Sequence, residues 1–200
     1  MRIRLIAGVA VALAAAPLGT AAAQTLGTPV FLAPYRAFQR SEIGATFSDP
    51  GQGIAVEGHY RIAYGVNDLG FRVGIRDNDP GDSHLLLGVD WRSRMVTHSE
   101  DFPLDGALTL GAGLILADGN NQLLLPVGFS LGRRIALEDS EIQLTPYMHP
   151  VLALSIGDNS DLIFGLGLGM DIRLNQRFEI RVGGALGDYE GVSVGVSFLR

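Results

Sequence analysis

The chain has 200 residues, 47% of them hydrophobic and 18% charged, with 27 glycines and no cysteine. That length suits one domain or at most two small ones; the glycine follows no G-x-y period, which excludes collagen, and the high hydrophobicity excludes a disordered polyelectrolyte. The missing cysteine removes disulfide scaffolds, thiolate chemistry and Cys-ligated metals, and a formal net charge of -6 without a basic run argues against nucleic acid as a partner.

At the start of the chain, Arg2 and Arg4 precede an apolar stretch from Leu5 to Leu18, followed by Gly19, Thr20 and three alanines, Ala21 to Ala23. A charged beginning, a short apolar run and an A-x-A-like end describe a secretory signal peptide over residues 1–23. The run falls short of the ~20 residues a spanning helix needs, and without cysteine no lipobox is present. Further on, the longest charge-free runs, residues 106–117 and 119–132, contain glycines or a proline and do not read as helices. If the rest of the chain meets a membrane, it does so as strands.

From residue 40 onward the sequence alternates with period two and is punctuated by turn residues. A first strand runs from Glu42 to Phe47. In the second, Ile54, Val56, Tyr60 and Ile62 oppose Glu57, His59 and Arg61; in the third, Leu69, Phe71, Val73 and Ile75 oppose Gly70, Arg72, Gly74 and Arg76. The fourth sets Leu85, Leu87, Val89 and Trp91 against Gly88, Asp90 and Arg92, and the next two centre on Leu108 to Leu116 and Leu123 to Leu131. Between Ile142 and Ile156, Pro146 and Pro150 cannot donate to a ladder, which predicts a bulge or bend over Leu144 to Pro150. The clearest alternation is Leu162 to Leu174, with a Leu/Phe/Met/Ile face against Gly165, Gly167, Gly169, Asp171 and Arg173. Two more strands follow, Phe178 to Gly183 and Val192 to Phe198. About ten strands result, within a range of eight to twelve.

The second face separates two all-β architectures. A soluble sandwich buries the Leu/Val/Phe face and shows water a polar one. Here the second face is Gly, Ala and Ser with sparse charges, which suits the crowded inside of a closed barrel whose apolar face meets lipid. The inward positions then carry Arg61, Arg72, Arg76, Arg92, Arg173 and Arg181 against Glu42, Glu57, Asp90, Asp171 and Glu179, with His59 among them. Near balance of sign points to a paired lumen charge network, in which the forked guanidinium can bridge two carboxylates. All 15 bases are Arg; codon usage accounts for the missing Lys as readily as pairing does.

The segment Leu162 to Arg200, with its G-x-G-x-D-x-R-L, F-x-I-R, acidic turn and closing V-x-V-x-V-x-F, resembles the C-terminal hairpins of small bacterial outer-membrane β-barrel proteins of the OmpA-like kind. The resemblance covers roughly residues 40–200 and implies a single antiparallel up-and-down transmembrane β-barrel domain there, preceded by an N-terminal periplasmic segment over residues 24–39. It implies an exported protein of the Gram-negative cell outer membrane, with outer-membrane lipid, lipopolysaccharide and the barrel assembly machinery as partners. With both termini periplasmic, Tyr64, Phe71, Phe102, Phe178 and Phe198 form an aromatic girdle at that end. The opposite connections are short, and the chain ends on Leu199 and Arg200 rather than on the aromatic Phe198, both departures from the family's habit.

Those opposite connections carry Asp49, Asp77, Asp79, Asp82, Asp118, Asp158, Asp161, Asp188 and Glu190, which either close Asx-turns or bind divalent cations bridging lipopolysaccharide phosphates. No EF-hand or calcium repeat is present, and no motif calls for a cofactor or a bound metal. Among the histidines, Ser83 with His84 and His98 with Ser99 are chain neighbours that point to opposite faces. His59 shares its face with Glu57 and Arg61, and the sequence sets no inward serine beside it. The expected function is structural or passive transport through a narrow or closed pore, without catalysis. The alternatives are a soluble periplasmic or secreted β-barrel binding an apolar ligand, and a lipid-modifying barrel enzyme.

Overall fold

In the structure, a computed structural model, residues 31–34, 40–50, 53–78, 82–117 and 121–200 are described. The signal peptide expected over residues 1–23, most of the segment 24–39, and Asp79 and Asp118 lie outside them.

Eleven strands follow one another: β1 (Glu42–Asp49), β2 (Ile54–Tyr64), β3 (Asn67–Asn78), β4 (Asp82–Val96), β5 (Asp105–Leu116), β6 (Gln122–Gly132), the two-residue β7 (Ile135–Ala136), β8 (Gln143–Ile156), β9 (Ser160–Arg173), β10 (Phe178–Gly187) and β11 (Gly191–Leu199). All pairings are antiparallel and join chain neighbours, except that β1 pairs with β11 and β6 with β8. Those two pairings close the sheet into a ten-strand barrel, with β7 a short flap on β8. Closure removes both sheet edges, so each of the ten barrel strands finds backbone partners on two sides.

The period-two sequence sets the faces. Ile54, Val73, Ile75, Leu162, Val192 and Val196 all lie outward and exposed, while Glu42, Arg92 and Asp68 are buried inside. The ordinary rule for a soluble protein is inverted.

No bulge or bend interrupts Leu144 to Pro150. β8 runs unbroken against β9 from Gln143↔Arg173 to Ile156↔Ser160. Pro150 points outward, and the β6–β8 ladder skips only from Gly128↔Val151 to Leu131↔Met148, keeping its register. The missing donor therefore costs a local pairing without shifting the strand. Pro126 does the same between Leu110↔Val127 and Gly113↔Leu124. The register shift in the barrel falls instead in β4, between Arg94 and Val96, beside the β4–β5 connection.

The two ends differ. Tyr64, Phe102, Phe178 and Phe198 lie at the end that holds both ends of the barrel sequence, and Phe178 and Phe198 meet edge-to-face with centroids 5.3 Å apart. Phe71 is placed four residues into β3, in an outward row that steps from Phe178 to Phe198, Ile43, Tyr60 and Phe71. Tyr60 belongs to this row although the sequence reading left it out. At the other end the interior is sealed on one side by a small apolar cluster of Ala55, Leu86, Ile115 and Leu124, with Ile163 against it.

Candidate functional site

The lumen is the site, and its two walls differ in chemistry. β1 to β4, β9 and β10 carry the charges. β5, β6 and β8 present Ala107, Thr109, Ser130, Thr145, Tyr147, His149, Val151 and Ala153 to the interior, and their one carboxylate, Asp105, sits at the strand end against His98 at 3.0 Å.

On the charged wall Arg61 is the hub. It contacts Asp68, Asp90 at 2.5 Å and Glu42 at 3.6 Å. Asp68 also receives Arg92, at 2.7 Å and 2.8 Å. Glu42 accepts from Arg181 at 2.7 Å, Arg72 reaches Glu57 at 3.2 Å and Asp90 at 3.8 Å, and Glu179 lies 3.9 Å from Arg181 and 4.0 Å from Arg173. Arg76 and Asp171 are buried on the same wall. Removing so many charges from water is tolerable because Glu42, Glu57, Asp68, Asp90 and Glu179 each meet a guanidinium. Asp68 was missed in the sequence reading, although it shares parity with Gly70 and Arg72 and so was legible as inward.

Barrel closure also supplies a serine that the sequence did not place. Gly44 lies between Ser197 and His59 in the ladder, and its missing side chain lets His59 Nε2 reach across to Ser197 Oγ at 3.0 Å. Glu42 approaches the same nitrogen, at 3.8 Å. A nucleophile triad needs its carboxylate on the other ring nitrogen, where it orients the base. This trio is a buried polar cluster with a different geometry.

The neutral wall is occupied. Phe31 to Pro34, expected in a periplasmic segment outside the barrel, lie inside it, with Leu32, Ala33 and Pro34 buried. Leu32 N–H donates to His149 Nδ1 at 3.1 Å, Tyr147 Oη donates to the Phe31 carbonyl at 3.3 Å, Ser130 Oγ donates to the Leu32 carbonyl, and Arg92 crosses the lumen to donate to the Ala33 carbonyl. An acceptor at Nδ1 fixes the neutral tautomer with its proton on Nε2, which faces Thr109 Oγ1 at 2.8 Å. His149 reaches Thr109 over Gly128, where a Cβ would stand 2.6 Å from Nε2.

Phe31 packs edge-on against His149 and Tyr189, with centroids 5.8 Å and 6.5 Å away. Beyond it a cavity of about 130 Å³ remains, lined by Phe31, Glu57, His59, Arg72, Arg181 and Tyr189 among others. Tyr189, in the β10–β11 turn, is buried, and its hydroxyl has no hydrogen-bond partner among the described residues. Burial, with Asp188 adding to it, pushes that hydroxyl above its ordinary value. No group of metal-binding residues is found among the described residues.

The sequence matches no protein-family model and no curated protein. Among solved structures it is similar to the β domain of the Bordetella autotransporter BrkA, at 14% identity over 80% of this chain and 99% of that one, with a TM-score of 0.55. The N-terminal β-barrel domain of Pseudomonas aeruginosa OprF aligns at 12% identity over 80% of this chain and 96% of that one, TM-score 0.39. A de novo designed transmembrane β-barrel aligns at 11% identity over 82% and 98%, TM-score 0.41. At such identities the likeness to the BrkA domain speaks for the fold, and the fold is an antiparallel β-barrel.

Proposed function

We propose that this chain is an outer-membrane β-barrel of the Gram-negative envelope, with a structural or narrowly gated passive-transport role and no catalytic activity. The observation that carries the reading is the inverted polarity: large apolar side chains cover the outside, and paired charges fill the inside. In water such an exterior is an aggregation liability, whereas in a bilayer it matches the solvent. Outer-membrane lipid and lipopolysaccharide are its surroundings on this reading, and the barrel assembly machinery its route of insertion after export. The fold of the BrkA neighbour supports the same assignment.

The lumen as folded is occluded by side chains and by Phe31 to Pro34. That favours a closed barrel over an open porin. The cavity beside Phe31 is lined by Glu57, His59, Arg72 and Arg181 on one side and by Tyr147, Val182, Ala185 and Val192 on the other, a mixed surface rather than an apolar pocket. The carboxylate seen at His59, Glu42, approaches the same Nε2 that meets Ser197.

Phase separation in detergent and gel migration with and without heating test the assignment. A membrane barrel enters the detergent phase and migrates differently when unheated. Recovery in the aqueous phase without detergent overturns the reading.

A further inference from the structure

Three features of Phe31 to Pro34 set the segment apart from an ordinary piece of core. It joins no sheet, and the ladder closes around the barrel through β1–β11 and β6–β8 without it. It is held through its main chain: the amide of Leu32 and three successive carbonyls, of Phe31, Leu32 and Ala33, each meet a lumen side chain. The surface that receives it has a shape made for a peptide. A Cβ on Gly167 of β9 would collide with the Phe31 ring, while one on Gly132 would meet the barrel's own Pro146 carbonyl at 2.7 Å before Pro34 Cδ at 3.1 Å.

We propose that the neutral wall of the lumen, formed by β5, β6 and β8 with the glycines of β9 at its edge, is a binding site for an extended apolar peptide, and that Phe31 to Pro34 is its exchangeable resident. Recognition runs through hydrogen bonds that Ser130, Tyr147 and Arg92 donate to main-chain carbonyls and that His149 accepts from a main-chain amide, and through one aromatic side chain seated between His149 and Tyr189. The wall's lack of strand-interior charge suits an uncharged Phe-Leu-Ala-Pro sequence. Because residues 35–41 tether the occupant to β1, a peptide arriving from outside competes with an effective concentration on the order of millimolar. Vacating the wall widens the passage along the barrel axis, so occupancy gates the pore. This deepens the closed-barrel reading and rests on it for the gating step alone.

The test uses the full chain folded in detergent micelles. The absence of native cysteine makes Ala33→Cys a clean reporter. In the folded barrel it should react with a maleimide at least tenfold more slowly than in the urea-unfolded chain, and equal rates overturn the proposal. A second chain carries Phe31→Gly, Leu32→Gly and Pro34→Gly together. It should bind a fluorophore-labelled acetyl-Phe-Leu-Ala-Pro-amide peptide saturably by anisotropy, at least tenfold more tightly than the unaltered chain does. Adding Ser130→Ala and Tyr147→Phe should weaken that binding at least tenfold. If the triple variant migrates as a folded barrel yet binds the peptide no better than the parent, the proposal fails. If it does not fold, the Ala33→Cys chain decides: acetyl-Phe-Leu-Ala-Pro-amide at several millimolar should speed its maleimide reaction at least threefold, and an unchanged rate overturns the proposal. Failure to partition into detergent or vesicles counts instead against the membrane assignment, and leaves the peptide measurement standing.

Discussion

Leu32 and His149 lie 117 positions apart in the chain and share a buried 3.1 Å hydrogen bond, amide to Nδ1. The same imidazole spans two strands to Thr109 through its other nitrogen. One side chain thus ties the occupying segment to the barrel wall. His149→Leu leaves the Leu32 amide and the Thr109 hydroxyl without this partner, and each such buried orphan costs about 1–3 kcal/mol. Urea unfolding in lipid vesicles should show the loss, with Trp91, the single tryptophan, as the fluorescent probe. An unchanged midpoint means the bond contributes little.

Asp68 bridges Arg61 and Arg92 while fully enclosed. Asp68→Ala takes the bridging carboxylate from Arg92 and one of three carboxylates from Arg61, which keeps Asp90 and Glu42; breaking a buried pair from one side costs about 3–5 kcal/mol. The unfolding midpoint should fall more than it does for any single outward Val→Ala. If it falls less, water must reach the two arginines.

Gly167→Ala separates the barrel from its occupant. The atoms nearest the added methyl all belong to Phe31, so the variant should keep its heat-dependent gel migration while its single-channel conductance rises above that of the parent. A variant that loses the folded band shows that the glycine serves the wall itself.

Leu168, next along β9, faces outward beside Gly184 and Met148. Leu168→Arg puts a guanidinium into lipid and should cost about 2–4 kcal/mol if the residue sits near the bilayer midplane. A neutral result in vesicles would place water, not lipid, against this face.

Tyr189 gives a pH signature. Its hydroxyl is held above its ordinary 10.0, by burial first and by Asp188 second. The unfolded chain releases that proton near pH 10 while the folded barrel retains it, so the stabilisation is complete below about pH 10 and is lost as pH rises beyond it. Unfolding midpoints measured from pH 8 to pH 11 should decline for the parent and decline less for Tyr189→Phe. Parallel curves would mean that the turn opens before it titrates.

The strands and their faces were determined by the sequence itself. Alternation is local: from Leu69 to Ile75 or Leu162 to Leu174, each residue's side follows from its neighbours' positions, and the inward charges from Glu42 to Arg181 follow from parity. Asp68 obeyed the same rule and was readable on that ground. Other features depended on register and closure, which no local pattern specifies. Ser197 meets His59 only because β11 pairs with β1 and Gly44 leaves a gap between them. Pro146 and Pro150 pass without a bulge because a strand with two neighbours can forgo single bonds while the rest hold its register. Phe31 to Pro34 carry no period and so no strand signal. Their place inside the barrel was decided by the lumen, whose charge-free wall offers three main-chain partners, with Arg92 reaching over from the opposite wall as a fourth, and a space beside Gly167 that no residue of the strands fills.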